Sequence, residues 1–155
     1  ASALGLLEQH VNLVVTRTFS KAHGLAGLRI GYLVAHPSVV GVLERLRESF
    51  NVNHVALAGA VAALGDHAHL GRVRAFNTAE RTWLAGELAA RGFASLPSQT
   101  NFLLLDLGRD AADLERHLFE RGVIVRPMHG YGLARAVRAS IGSRGENRRL
   151  LDALP

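Results

Sequence analysis

Residues 11–19, VNLVVTRTF, form a short apolar run rich in β-branched side chains, the pattern of a buried strand. The run stops at Ser20 and Lys21, and a loop bearing Gly24 and Gly27 follows. Residues 28–35, LRIGYLVA, predict a second strand. His36-Pro37-Ser38 then opens a helix, with Pro37 where a missing N–H costs nothing. Val40, Leu43 and Leu46 give that helix an apolar stripe to about residue 50. Asn51-Val52-Asn53 breaks it. The small-residue run 55–64 predicts another helix, and residues 70–91 a long one burying Val73, Phe76, Trp83, Leu84 and Leu88.

Past Gly92 the spacing changes. Residues 102–107, FLLLDL, predict a strand. AADLERHLFERG is an amphipathic helix with Leu114 and Leu118 on one face, ending at Gly122. Residues 123–127 and 136–142 predict two more strands. Ser143-Arg144-Gly145-Glu146 carries the S-x-x-E capping pattern and starts a helix burying Leu150, Leu151 and Leu154. The predicted order is two strands, three helices, then a β-α-β-β-α module. A break at residues 51–53 separates a strand-rich opening from an α+β remainder.

Composition narrows this picture. The 155 residues are 48% hydrophobic and 20% charged, which describes a globular chain with a core, one domain or pieces of two. There is no cysteine, so disulfide frames and thiolate metal sites are excluded, and a reducing, cytoplasmic setting is expected. The opening ASALGLLEQH lacks a basic segment and a long apolar run, which argues against a secretory leader. The apolar stretch from Val55 is too short to span a bilayer, and no membrane partner is expected. The only methionine is Met128, so a fragment or a processed product is expected. A net charge of +5 raises nucleic acid as a partner. The arginines, however, are scattered, and aromatics at 6% do not alternate with them, so a solvated basic surface is expected instead.

Lysine usage is the oddest feature. Of eighteen basic residues Lys21 is the single lysine, and it sits in TFSKAHGLAGLRIGY. Burial shifts a lysine's pKa readily, and a neutral amine condenses with an aldehyde and later carries a proton. Thr18 and Ser20 alternate at the strand end, so their hydroxyls can share a side. The nearby glycines allow close backbone approach, and Arg29 offers a planar fork that matches phosphate oxygens. An amine, two hydroxyls and a guanidinium suit an aldehyde carrying a phosphate, which describes pyridoxal 5'-phosphate. A solvated loop lysine beside a surface arginine is the plainer alternative. Asp66, His67 and His69 lie in a turn between helices without a further ligand in view, and read as a solvated loop rather than a metal site. His23 reads as a loop histidine beside the lysine.

The same string closely resembles the cofactor-lysine segment of the fold-type I, pyridoxal-phosphate-dependent aminotransferases of class I and II. FNVNHVALAGAVAAL, PSQTNFLLLDL, GVIVRPM and AVRASIGSRGENRRLLDAL resemble, in order, later segments of the histidinol-phosphate aminotransferase group. The resemblance implies an α/β fold. Residues 1–53 would be the tail of the large cofactor-binding domain and its linker helix, and residues 54–155 a small α+β C-terminal domain. It implies that Lys21 is the catalytic, cofactor-bearing lysine, and that Thr18, Ser20 and Arg29 hold the cofactor phosphate. Arg138 and Arg126 are implied to receive the substrate's anionic group. The implied reaction moves an amine between histidinol phosphate and 2-oxoglutarate, with glutamate as donor, in histidine biosynthesis, in a homodimer. Aromatic amino acids, or decarboxylation of threonine phosphate, are alternative chemistries of the same fold. The family's acidic partner for the pyridinium nitrogen falls upstream of residue 1. An isolated chain that is weakly active or inactive, or a partner-binding remnant, is therefore the competing expectation.

Overall fold

In the computed structural model, which describes residues 2–155, the β-branched run forms β1 (Val14–Thr18). It pairs antiparallel with β2 (Gly31–Ala35), from Val14 opposite Ala35 to Thr18 opposite Gly31. Both strands are shorter than the apolar pattern predicts. A turn from His10 to Leu13 precedes β1, and a 3-10 turn over Ala26–Leu28 precedes β2. Nor is β1 buried as expected: Val15 is its one buried residue, and β2 has none. A β-branched run records strand propensity, whereas burial depends on what packs against the strand.

The connection between these strands is the better packed part. Phe19 and Ile30 are buried against Ala56 and Ala60 of α2 (His54–Gly65), with Leu25, Leu28, Val52 and Ala63 around them. Small residues on α2 permit that approach: a Cβ on Gly59 would stand 2.9 Å from Leu28 Cδ1. Asn53, read as a helix breaker, is the N-cap of α2, and its Oδ1 accepts from the Ala56 N–H at 2.8 Å. The preceding helix, α1 (Pro37–Leu46), has Pro37 in its first turn as expected. It stops short of residue 50, and its apolar stripe is not buried, with Leu46 75% exposed. These elements belong to a first compact unit that runs to Arg72, and the second covers Val73–Pro155.

The second unit is a four-stranded antiparallel sheet with helices on one face. Its order is β3 (Ala94–Ser95), β4 (Phe102–Asp106), β6 (Ala136–Ser140), β5 (Arg126–Pro127). Leu103, Leu105, Val137 and Ala139 point to one face and pack on Leu84, Leu88, Leu114, Leu118, Leu150 and Leu151. These leucines come from α3 (His67–Ala90), α4 (Ala112–Glu120) and α5 (Arg144–Asp152). Gly122 ends α4 at φ +70°, as its position predicts, and the Ser143–Glu146 capping box forms. The two-residue β3 carried no sequence signal. The strand expected over 123–127 shrinks to Arg126–Pro127.

The long helix departs from expectation in what it buries. Leu84 and Leu88 are buried, but Phe76 is 52% exposed. Glu80 and Arg81 are buried instead, because each has a distant partner. Arg144 Nε and Nη2 donate to the Glu80 carboxylate at 2.9–3.1 Å, and Asn147 Nδ2 donates to it at 3.0 Å. Arg81 Nη1 donates to the Thr100 carbonyl at 3.1 Å. No helix among the described residues is long and apolar enough to cross a membrane.

Candidate functional site

The residues singled out by sequence fall into two groups, one in each unit. In the first unit the β1–β2 ladder ends at Thr18 opposite Gly31, and Phe19 N–H continues it to the Ile30 carbonyl at 3.2 Å. Ser20 and Arg29 therefore flank the mouth of the connecting loop. Thr18 Oγ1 accepts from the Ser20 N–H at 3.0 Å, which folds the chain back at the strand end. Lys21 opens a turn closed by Gly24 N–H to the Lys21 carbonyl at 2.9 Å, with Gly24 at φ +71°. A left-handed residue is needed there, and glycine takes it without steric cost. The Leu25 N–H returns to the Phe19 carbonyl at 2.9 Å and closes the loop over the buried Phe19 ring.

Two features of this loop cost something and call for an explanation. Arg29 sits at φ 52°, ψ 50°, the left-handed region that non-glycine residues rarely occupy. That conformation sets where its guanidinium lies, and Nη1 donates to the Ala26 carbonyl at 2.8 Å. Gly31 is the second: a Cβ there would meet the Arg17 carbonyl oxygen at 2.6 Å, so only glycine lets the ladder close beside the lysine loop. Lys21 is exposed, contrary to the burial expected at the end of a core strand. The turn carries it outward, away from the Phe19–Ile30 cluster. His23 is half-buried, and its ring lies 5.0 Å from that of Phe19, so it packs rather than standing free in the loop.

The second group rests on register. Arg126 of β5 lies directly opposite Arg138 of β6, and Leu104 of β4 opposite Arg138 on its other side. Directly paired residues share a face, so both guanidinium groups leave the sheet on the side away from the leucine core. Phe102, two residues from Leu104, is the diagonal neighbour on that face. Its ring lies 5.0 Å beneath the Arg138 guanidinium carbon. Phe102 is itself held by the preceding loop: Ser98 Oγ donates to its carbonyl at 2.7 Å, and Asn77 and Arg81 of α3 fasten Thr100. Arg126 is exposed, with Nη2 donating to the Tyr131 hydroxyl at 3.3 Å.

Electrostatically this face is unbalanced. Like charges set directly opposite each other are unfavourable. Arg138 is half-buried, and its Nε–H is buried without a hydrogen-bond partner among the described residues. A buried donor left unpaired costs free energy, and such atoms in native structures call for a reason. An oxyanion laid across the two guanidiniums removes both penalties, by the planar bidentate pairing arginine favours. Thus the structure brings Arg126 and Arg138 together, and Thr18, Ser20 and Arg29 to one loop mouth with Lys21. Phe102 and Tyr131, which contact the two arginines, escaped the sequence reading. Register alone reveals the first, and a turn contact the second. His67 and His69 lie in the first turn of α3 rather than in a loop, and Asp66 Oδ1 accepts from the His69 N–H at 2.8 Å.

These features define a class. The family model for aminotransferase class I and II matches residues 1–154, and the chain belongs to that family. Within it, the chain is 52% identical over 143 residues to histidinol-phosphate aminotransferase 1 of Thiobacillus denitrificans, covering 92% of this chain and 37% of that protein. It is 50% identical over 152 residues to the histidinol-phosphate aminotransferase of Anaeromyxobacter sp., covering 97% and 42%. The crystal structure of histidinol-phosphate aminotransferase from Sinorhizobium meliloti in complex with pyridoxal-5'-phosphate superposes with a TM-score of 0.82 at 35% identity, covering 94% and 41%. The chain thus spans about two fifths of the length of the relatives it matches. The mixed α/β fold expected from the resemblance is borne out.

Proposed function

We propose that this chain is the lysine-bearing portion of a pyridoxal-phosphate-dependent aminotransferase acting on histidinol phosphate, with glutamate and 2-oxoglutarate as the second amine pair. The observation that carries the reading is the single lysine at the mouth of the β1–β2 loop, flanked by Thr18, Ser20 and Arg29. The donor set fits the cofactor: an exposed primary amine for its aldehyde carbon, and two hydroxyls with a strained, positioned guanidinium for its phosphate. When bound, pyridoxal phosphate supplies the electron sink that makes a substrate's α-proton removable. The protein's part is to hold and to move protons. Lys21 Nζ would hold the cofactor through its aldehyde carbon and, when free, would serve as the general base for the proton on the substrate's α-carbon. Thr18, Ser20 and Arg29 would hold the phosphate end and so orient the group toward Lys21. Arg138, with Arg126 beside it, receives the anionic end of the substrate: the phosphate of histidinol phosphate or the distal carboxylate of glutamate.

In this reading residues 1–53 close the large domain, residues 54–155 form the small one, and the working enzyme is a cytoplasmic homodimer. The sequence identity to histidinol-phosphate aminotransferases favours histidinol phosphate over aromatic or threonine-phosphate substrates. The test is an assay of the whole protein that contains this chain, with histidinol phosphate and 2-oxoglutarate, following glutamate formation. Turnover is expected, with Lys21→Ala lowering it by orders of magnitude and Arg138→Gln raising KM for histidinol phosphate. Absence of turnover with this pair, or undiminished turnover in Lys21→Ala, contradicts the proposal.

A further inference from the structure

Tyr131 stands beside the paired arginines without a role in anything described so far. It closes a short 3-10 turn, His129–Tyr131, in the connection between β5 and β6. Backbone bonds make this turn rigid. Tyr131 N–H donates to the Met128 carbonyl at 2.9 Å, Leu133 N–H to the same oxygen at 3.2 Å, and Gly132 N–H to His129 at 2.9 Å. Gly132 follows in the left-handed region at φ +75°, and the Met128 N–H is tied across to the Ala136 carbonyl at 3.2 Å. The turn fixes the tyrosine backbone, and the ring then stands within 5.8 Å of the Arg126 guanidinium carbon. Arg126 Nη2 donates to the phenol oxygen at 3.3 Å.

The two arginines are held by different means. Arg138 is half-buried and rests on Phe102. Arg126 is exposed, on a two-residue edge strand, and among the described residues Tyr131 is the one hydrogen-bond and ring partner of its guanidinium. A long exposed side chain loses rotamer freedom when it binds an anion, and a contact that orders it beforehand reduces that loss. We infer that Tyr131 is a positioning residue that holds Arg126 over the sheet face, so that the pair selects a doubly charged phosphate over a carboxylate. The inference rests on the reading of Arg126 and Arg138 as the anion site. A monocarboxylate is satisfied by one planar fork, that of Arg138, whereas a phosphate dianion has oxygens and charge for both. Tyr131 acts only through Arg126, so its loss falls on phosphate and spares carboxylate.

The experiment follows the arginine Nε–H resonances of the isotope-labelled chain as inorganic phosphate or acetate is added at constant ionic strength. It compares the wild type with Tyr131→Phe, Arg126→Gln and Arg138→Gln, with the amides of Val137 and Ala139 reporting an intact sheet. Saturable phosphate shifts at Arg126 and Arg138 are expected. In Tyr131→Phe the phosphate dissociation constant should rise about three- to tenfold, with acetate binding unchanged. Wild-type phosphate affinity in Tyr131→Phe, together with loss in Arg138→Gln, overturns the role of Tyr131 and leaves the anion site standing. Equal weakening of both anions in Tyr131→Phe also overturns it, because that marks a general structural effect. No saturable phosphate binding by the wild type, or undiminished binding in Arg138→Gln, overturns the anion site and the inference with it.

Discussion

Gly31 and Arg29 show two ways in which a single position controls the lysine loop. Gly31 is required by contact, since any Cβ there stands 2.6 Å from a backbone oxygen that has no flexible end to move. Gly31→Ala should destabilise the first unit by about 1–3 kcal/mol, read as faster hydrogen exchange at the paired amides of β1 and β2. Arg29 is strained in its backbone yet not glycine, which points to a need for its side chain. Arg29→Gly should therefore relieve backbone strain, leaving the fold as stable or slightly more so, while weakening pyridoxal phosphate binding. A thermal melt and a cofactor titration on the same variant separate the two effects. Legibility differs between these positions. Lys21 and Arg29 could be picked out as candidates from residue type and spacing. The contact that fixes Gly31 could not, because it arises only when two strands meet.

Among the elements, α3 and α5 carry the network that the hydrophobic pattern missed. The Arg144 guanidinium, followed by the Asn147 amide, holds the Glu80 carboxyl below the ordinary glutamate range against the opposing effect of burial. Glu80 is therefore more acidic in the folded chain than in the unfolded one. Its contribution to stability is complete above the unfolded value and is lost as pH falls through the lower folded value. The acid limb of stability should flatten in Glu80→Gln, measured as denaturation midpoints from neutral pH downward. An unchanged acid limb contradicts the assignment. Next to Arg144, Ser143 caps α5, and Ser143→Ala should cost about 1 kcal/mol, seen as a lower urea midpoint. The capping box was legible because its four residues are adjacent in sequence. The Glu80–Arg144 pair was not, because its partners are far apart in the chain and polar residues predict no burial. The same separation hid the contact of Phe102 with Arg138.

For the whole molecule, the first unit presents much apolar surface. Val14, Tyr32 and Leu33 on the hairpin are 38–46% exposed, and Phe50, at φ +58°, is 97% exposed. A groove of about 940 Å³ runs beside Tyr32, Leu43, Val52 and Leu57. Patches of this kind bind apolar probes or other chains. The native chain should therefore bind an apolar fluorescent dye, and Leu33→Glu with Phe50→Ser should reduce that binding without lowering helix content. The central claim, however, is chemical: Lys21 is the amine that holds pyridoxal phosphate. Because it is the only lysine, reductive labelling tests it directly. The purified protein is mixed with pyridoxal phosphate, reduced with borohydride, and digested, and the labelled peptide is located by mass. Label at Lys21 in preference to the terminal amine, and its loss in Arg29→Ala, is the predicted result. Label confined to the terminal amine, or at Lys21 regardless of Arg29, contradicts the account.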